Sequence, residues 1–217
     1  MIFMVSGKTS ADKTNSLISD IRKEQIAEAS ISVINESGYS NASLANIAKK
    51  AGISTALISY YFPVKRDLTD FLLKELIKRK ITYIIEWVKE AETPTEKLFA
   101  YIRADLSYSI DHPAEGISMT ELIFNARDKN GMPYYQSESD DEDLLEEIIK
   151  IIREDGGFSN IDVKALSIMI KGSVREYVKD RQKAEELDQK TYGNELVSVI
   201  SRLTGFSKGY TVEPLKK

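Results

Sequence analysis

Ser43-Leu44-Ala45-Asn46-Ile47-Ala48-Lys49-Lys50-Ala51-Gly52-Ile53-Ser54-Thr55-Ala56-Leu57-Ile58-Ser59-Tyr60-Tyr61-Phe62 reads as two short helices joined by a tight turn. Ser43 is an N-cap whose hydroxyl can accept from backbone N–H groups left unpaired in a first helical turn. Leu44, Ile47 and Ala48 then recur at i, i+3, i+4, one apolar helical face. Gly52 stands where the first helix must end, and a left-handed backbone costs least at glycine. Ala48 is small enough to let the two helices approach, Ile53 plugs the corner, and Ser54 is a second N-cap. Leu57 and Ile58 face inward, which leaves Thr55, Ala56, Ser59 and Tyr60 on the outer face.

Two caps, a turn glycine and a polar outer face in this order define a helix-turn-helix, whose second helix enters the major groove of DNA. Small and hydroxyl side chains permit close approach to the groove, and a tyrosine can bond a phosphate oxygen. The residues expected at the DNA are Ser43, Lys49, Lys50, Ser54, Thr55, Ala56, Ser59, Tyr60 and Lys65, the last placed just past the second helix. The formal net charge of −4 argues against DNA only until its distribution is read. Residues 1–80 hold 12 Lys+Arg against 8 Asp+Glu, net +4, and the remainder holds 18 against 26, net −8. The basic excess therefore travels with the motif.

The same stretch resembles the N-terminal domain of the TetR family of bacterial transcriptional regulators. The matching residues begin at Ile26-Ala27-Glu28-Ala29 and Glu36-Ser37-Gly38-Tyr39, pass through Ser43, Ile47-Ala48 and Ala51-Gly52-Ile53-Ser54, and end at Tyr60-Tyr61-Phe62-Pro63-Val64-Lys65-Arg66-Asp67-Leu68. Ser59 departs from the family, which often has a tyrosine there, so operator preference is expected to differ. The resemblance implies a homodimer paired through the last two long helices, about 162–204, double-stranded operator DNA as partner, and a body that encloses a small-molecule effector. The function it implies is that of a ligand-responsive regulator, a repressor released from a palindromic operator. Alternatives from other classes are a helical small-molecule-binding protein without DNA function and a helical enzyme using Asp111, His112 or Glu121.

Beyond the motif, strand signals are nearly absent and helical periodicity dominates. The expected architecture is all-α: a three-helix head and a helical ligand-binding and dimerisation body, about nine helices in all. The expected segments are a flexible arm over 1–18, a head over 19–65, a body over 66–206 and a flexible tail over 207–217. Translation from Met1 and from Met4 are both open. A first helix from about Ser19 closes at Gly38, and a long one runs from about Arg66 to Glu92. Thr93-Pro94-Thr95-Glu96 is a capping box with proline in the first turn. The acidic run Ser137–Asp143 reads as the start of a helix ending near Asp155-Gly156-Gly157. In the helix expected over 162–182, Gly172 suggests close helix–helix approach.

With no cysteine, thiolate metal sites, disulfides and cysteine nucleophiles are excluded. His112 is the only histidine and reads as a corner between helices. No catalytic, cofactor or metal motif is found, so an enzyme is disfavoured and no cofactor is expected. No apolar run reaches the length of a membrane span, and a cytoplasmic location is expected. For the effector, Trp87, Tyr101, Tyr108, Phe124 and Tyr177 are the expected lining, since they come from several helices and combine apolar faces with polar tips.

Overall fold

The computed structural model describes residues 10–136, 143–156, 161–181 and 188–203, and within them the chain forms nine α-helices. These are α1 (Ser10–Ser37), α2 (Leu44–Ala51), α3 (Thr55–Tyr61), α4 (Lys65–Lys89), α5 (Pro94–Asp111), α6 (Pro113–Asn125), α7 (Leu144–Glu154), α8 (Val163–Arg181) and α9 (Gln189–Leu203). Residues 1–9 of the expected arm, the acidic run over 137–142 and the tail over 207–217 lie outside the described residues.

The chain divides into two compact units. The head unit comprises Met1–Leu76 with Ala114–Ser137, and the body unit comprises Ile77–Pro113 with Glu138–Lys217. The unit around the motif is thus larger than the expected 19–65 span. It takes in the first part of α4 and all but the first residue of α6. Its core gathers Ile26, Ile34, Ile47, Ile58, Leu72, Leu76 and Leu122, all nearly solvent-free. At roughly 25 cal/mol per Å2 of apolar surface, each such side chain contributes about 1.5–3 kcal/mol on burial.

Helix α1 starts at Ser10 rather than near Ser19. No glycine or proline interrupts Ser10–Ser37, so a helix anchored by buried Ile26, Ala27 and Ser30 propagates outward at little cost. It stops at Gly38, whose φ of +77° suits glycine and whose N–H reaches the Ile34 carbonyl at 2.8 Å. One 3-10 turn, Tyr39–Asn41, then leads into α2.

The body core is built by α5, α7, α8 and α9, with Leu98, Ile102, Leu106, Leu145, Ile149, Leu166, Ile170 and Ile200 at its centre. Thr93 and Glu96 form the reciprocal capping box at the start of α5, with Pro94 in the first turn. Asp143 is the N-cap of α7, accepting from the N–H groups of Leu145 and Glu146, rather than a residue inside the helix. Gly172 has open space where a side chain would project. Within one chain the close approach occurs instead at Gly193 of α9, where a Cβ would meet Leu106 Cδ1 at 3.3 Å. No helix among the described residues is long and apolar enough to cross a membrane.

Candidate nucleic-acid interface

Local hydrogen bonds fix the helix-turn-helix. Ser43 Oγ accepts from Asn46 N–H at 3.1 Å, and Ser54 Oγ accepts from Leu57 N–H at 3.1 Å. Both hydroxyls are therefore used as caps. Gly52 adopts φ +66°, ψ 31°, the left-handed conformation, with its N–H directed at the Ala48 and Lys49 carbonyls. The following N–H, of Ile53, donates to the Ala48 carbonyl at 3.0 Å. Ala48 is buried, as close approach requires, and Gln25 Nε2 ties α1 to the end of α2 through the Ala51 carbonyl at 2.8 Å.

Ile58 is fully buried and Leu57 partly so, and this inward pair turns the opposite face of α3 to solvent. Thr55, Ala56, Ser59 and Tyr60 are all exposed there. Tyr60 is 77 % exposed, and its ring meets Tyr61 edge-on at 5.1 Å between centroids. The outer set expected from sequence is thus presented together on one short helix.

The three lysines differ. Lys49 is exposed on the last turn of α2. Lys50 pairs with Glu36 of α1 at 2.5 Å, and that bond, with one from Ser32, lowers the Glu36 carboxyl below its ordinary value. Lys65 is turned inward: its Nζ donates to the Tyr39 carbonyl at 2.8 Å and sits 4.1 Å over the Tyr39 ring. Partial burial lowers its ammonium below the ordinary lysine value.

Tyr39 is a junction that sequence reading passed over. Its N–H donates to Glu121 Oε2 of α6 at 3.2 Å, and its hydroxyl meets Thr69 Oγ1 of α4 at 3.3 Å. Helix α6 is bound further by Asn35, whose Nδ2 donates to the Ala114 carbonyl at 2.8 Å and to Ser118 Oγ at 2.9 Å. Tyr134 donates to Asp70 of α4, and burial, with that bond, raises its hydroxyl. Glu121, weighed as a catalytic acid, serves in these contacts.

The expected effector residues are divided between the two units. Phe124 belongs to the head unit, is 40 % exposed and packs its ring on Tyr135 at 5.4 Å. The other four lie in the body unit, where Tyr101, Tyr108 and Tyr177 are buried and Trp87 partly so. Tyr83 gathers that region: its ring is 5.4 Å from Tyr108, 6.1 Å from Trp87 and 6.0 Å from His112. Its hydroxyl lies 3.2 Å from both Ser107 Oγ and Asp111 Oδ2, within hydrogen-bond reach of each. His112 caps the end of α5 with its ring 4.7 Å from Tyr108, the corner role expected of it. Tyr177 stacks on Tyr192 of α9 at 4.1 Å with an interplanar angle of 6°.

Two ionisable groups of the body were not singled out from sequence. Asp105 is enclosed in the core, and Lys80 Nζ lies 2.6 Å from its Oδ1. The spacing held the signal: Tyr101, Asp105, Tyr108 and His112 fall at intervals of four, three and four, so the carboxylate shares a face with two buried tyrosines. Burial raises the Tyr101 hydroxyl, with the charges of Asp105 and Asp143 adding. No group of three or more His, Asp or Glu that could hold a metal occurs among the described residues.

The fold and this surface define a class: an all-α chain with a helix-turn-helix head. Residues 26–70 match the family described as bacterial regulatory proteins, tetR family. Over 58 residues, 27 % of this chain, the sequence is 43 % identical to the HTH-type transcriptional regulator BetI of Yersinia pestis strain Pestoides F. Over 99 residues, 45 % of the chain, it is 35 % identical to the fatty acid metabolism regulator protein of Bacillus subtilis strain 168. These matches span 29 % and 51 % of the two relatives. The crystal structure of the transcriptional regulator FadR from Bacillus subtilis in complex with stearoyl-CoA superposes with a TM-score of 0.67 at 25 % identity, over 83 % of this chain and 98 % of that one.

Proposed function

We propose that this chain is a sequence-specific DNA-binding transcriptional regulator and not an enzyme, a repressor that a small-molecule effector releases from a palindromic operator. The observation that carries the reading is the exposed outer face of α3, Thr55, Ala56, Ser59 and Tyr60, held out by two side-chain caps and a left-handed glycine. Lys49 and Lys50 on the last turn of α2 supply phosphate contacts, and Lys65 does so by leaving Tyr39.

The operator-binding form is a homodimer through α8 and α9. In support, Ile168 and Met169 on α8 and Val199 on α9 are large apolar side chains about half or more exposed in the single chain. The open position at Gly172 on the same helix allows a partner helix to approach closely. A dimer presents two copies of α3 to half-sites about 34 Å apart or a multiple of it. The body takes the effector, a reading supported by the buried aromatic group around Tyr83 and by a similar fold solved with stearoyl-CoA. Release requires that the effector bind the DNA-incompetent state more tightly than the competent one.

The test is selection of bound sequences from a random double-stranded DNA pool at near-physiological salt. The expected result is an enriched inverted repeat whose affinity falls steeply with added salt. A folded, dimeric protein that enriches nothing would overturn the reading.

A further inference from the structure

Asp105 Oδ1 is the one buried side-chain oxygen among the described residues with no partner in hydrogen-bond geometry. Lys80 Nζ is only 2.6 Å from the same Oδ1, an ion pair whose angles fall outside hydrogen-bond geometry. The partners are unequally placed. The Asp105 side chain is 2 % exposed, while that of Lys80 is 24 % exposed. A flexible four-carbon arm therefore reaches from the solvent side to a carboxylate enclosed in protein. The arm is itself an unbranched alkyl chain ending in an ammonium, and the space it fills has that shape.

From this geometry we infer that the body binds organic primary amines, whose ammonium replaces that of Lys80 at Asp105. The inference rests on the reading of the body as an effector site and names the chemistry of the effector's polar end. An arriving amine keeps the buried carboxylate paired and returns the Lys80 ammonium to water, so no charge is stranded. A carboxylate or phosphate arriving there instead would pair with Lys80 but leave Asp105 enclosed beside a second anion, the costly arrangement. A neutral alcohol can donate to Oδ1 but supplies no charge. The surroundings suit a cation, since Tyr101 and Tyr108 share the α5 face with Asp105, and Tyr83 and Trp87 pack beside Tyr108. Lys80 lies on α4, the helix that begins just after the DNA-facing helix, so its release alters a restraint on that element.

Trp87 is the only tryptophan, so its fluorescence reports on this region without labelling. The experiment titrates the full-length protein with octylamine, octanol and octanoate, which differ only in the polar end. The expected order is octylamine tightest, by roughly tenfold over the other two. Asp105→Asn should erase that order. Lys80→Met, which keeps the arm and removes its charge, should tighten octylamine, and it gives a second reading where Asp105→Asn fails to fold. Octanoate binding as tightly as octylamine, or no saturable response to octylamine, would overturn the proposal. DNA binding is measured separately. Loss of the regulator reading with the amine order intact would leave this site standing, and the reverse result would remove the site alone.

Discussion

The helix-turn-helix motif and the body unit are each fixed by a different kind of interaction. The head's motif is fixed by hydrogen bonds that span three to five residues: Ser43 to Asn46, Ser54 to Leu57 and Ile53 to Ala48. The body depends on contacts between residues far apart in sequence, such as Lys80 with Asp105, Tyr177 with Tyr192 and Gly193 against Leu106. The first kind leaves a pattern that can be read along the chain. The second leaves only amphipathic faces, and the partner of each face is decided in three dimensions. A chain built this way has a locally specified motif and a body free to vary its internal chemistry.

Substitutions should sharpen that contrast, starting with the largest effect. Ile58→Ala empties a fully buried position on the inner face of α3 and should cost about 2–5 kcal/mol, measured by urea unfolding, with the proposed specific DNA binding lost. Lys80→Met leaves the Asp105 carboxylate enclosed and unpaired. A loss of about 2–3 kcal/mol is expected, below the usual cost of breaking a buried pair because Lys80 is partly exposed. The double change Lys80→Met with Asp105→Leu should recover most of it; a double variant no more stable than the single one would show that the carboxylate is not the source of the cost.

Ser54→Ala removes one cap and should cost about 1 kcal/mol in unfolding, while Ser54→Asp should preserve stability, a pair of results that ties the residue to capping. Tyr60→Ala should weaken operator binding by about 1 kcal/mol and leave the unfolding midpoint in place, since the ring lies on the surface. The smallest effects come from the two glycines. Gly172→Ala should stabilise α8 by up to about 1 kcal/mol, because a helical glycine is replaced where space is open. Gly193→Ala should gain less, since Leu106 must give way. If Gly172→Ala also shifts the dimer–monomer equilibrium toward monomer in sedimentation, the partner's helix lies against that position.

Much of the head was legible in the sequence because caps and a left-handed glycine are local requirements, and the outer face of α3 follows from the inner one. The inward turn of Lys65 was not, because it depends on the Tyr39 ring and carbonyl brought near by the fold. The start of α1 was also missed, although nothing in Ser10–Ser37 breaks a helix: the stretch before Ser19 shows too little apolar periodicity to read as more than an arm. In the body, aromatic residues were readable as a set but not as a site, so Phe124 was grouped with residues of the other compact unit. Asp105 escaped notice because a lone carboxylate in an amphipathic helix is read as solvent-facing unless its register is followed residue by residue.

Tyr39 also bears on how the chain tolerates mutation. Its N–H to Glu121 and its carbonyl, which accepts from Lys65 and from the Ala42 N–H, belong to the backbone, and those contacts would persist under most side chains. Two further contacts use the ring and the hydroxyl separately. Saturation mutagenesis scored by operator binding should therefore show a graded profile here: phenylalanine close to wild type, aliphatic residues intermediate, and proline, which lacks the N–H, absent from the survivors.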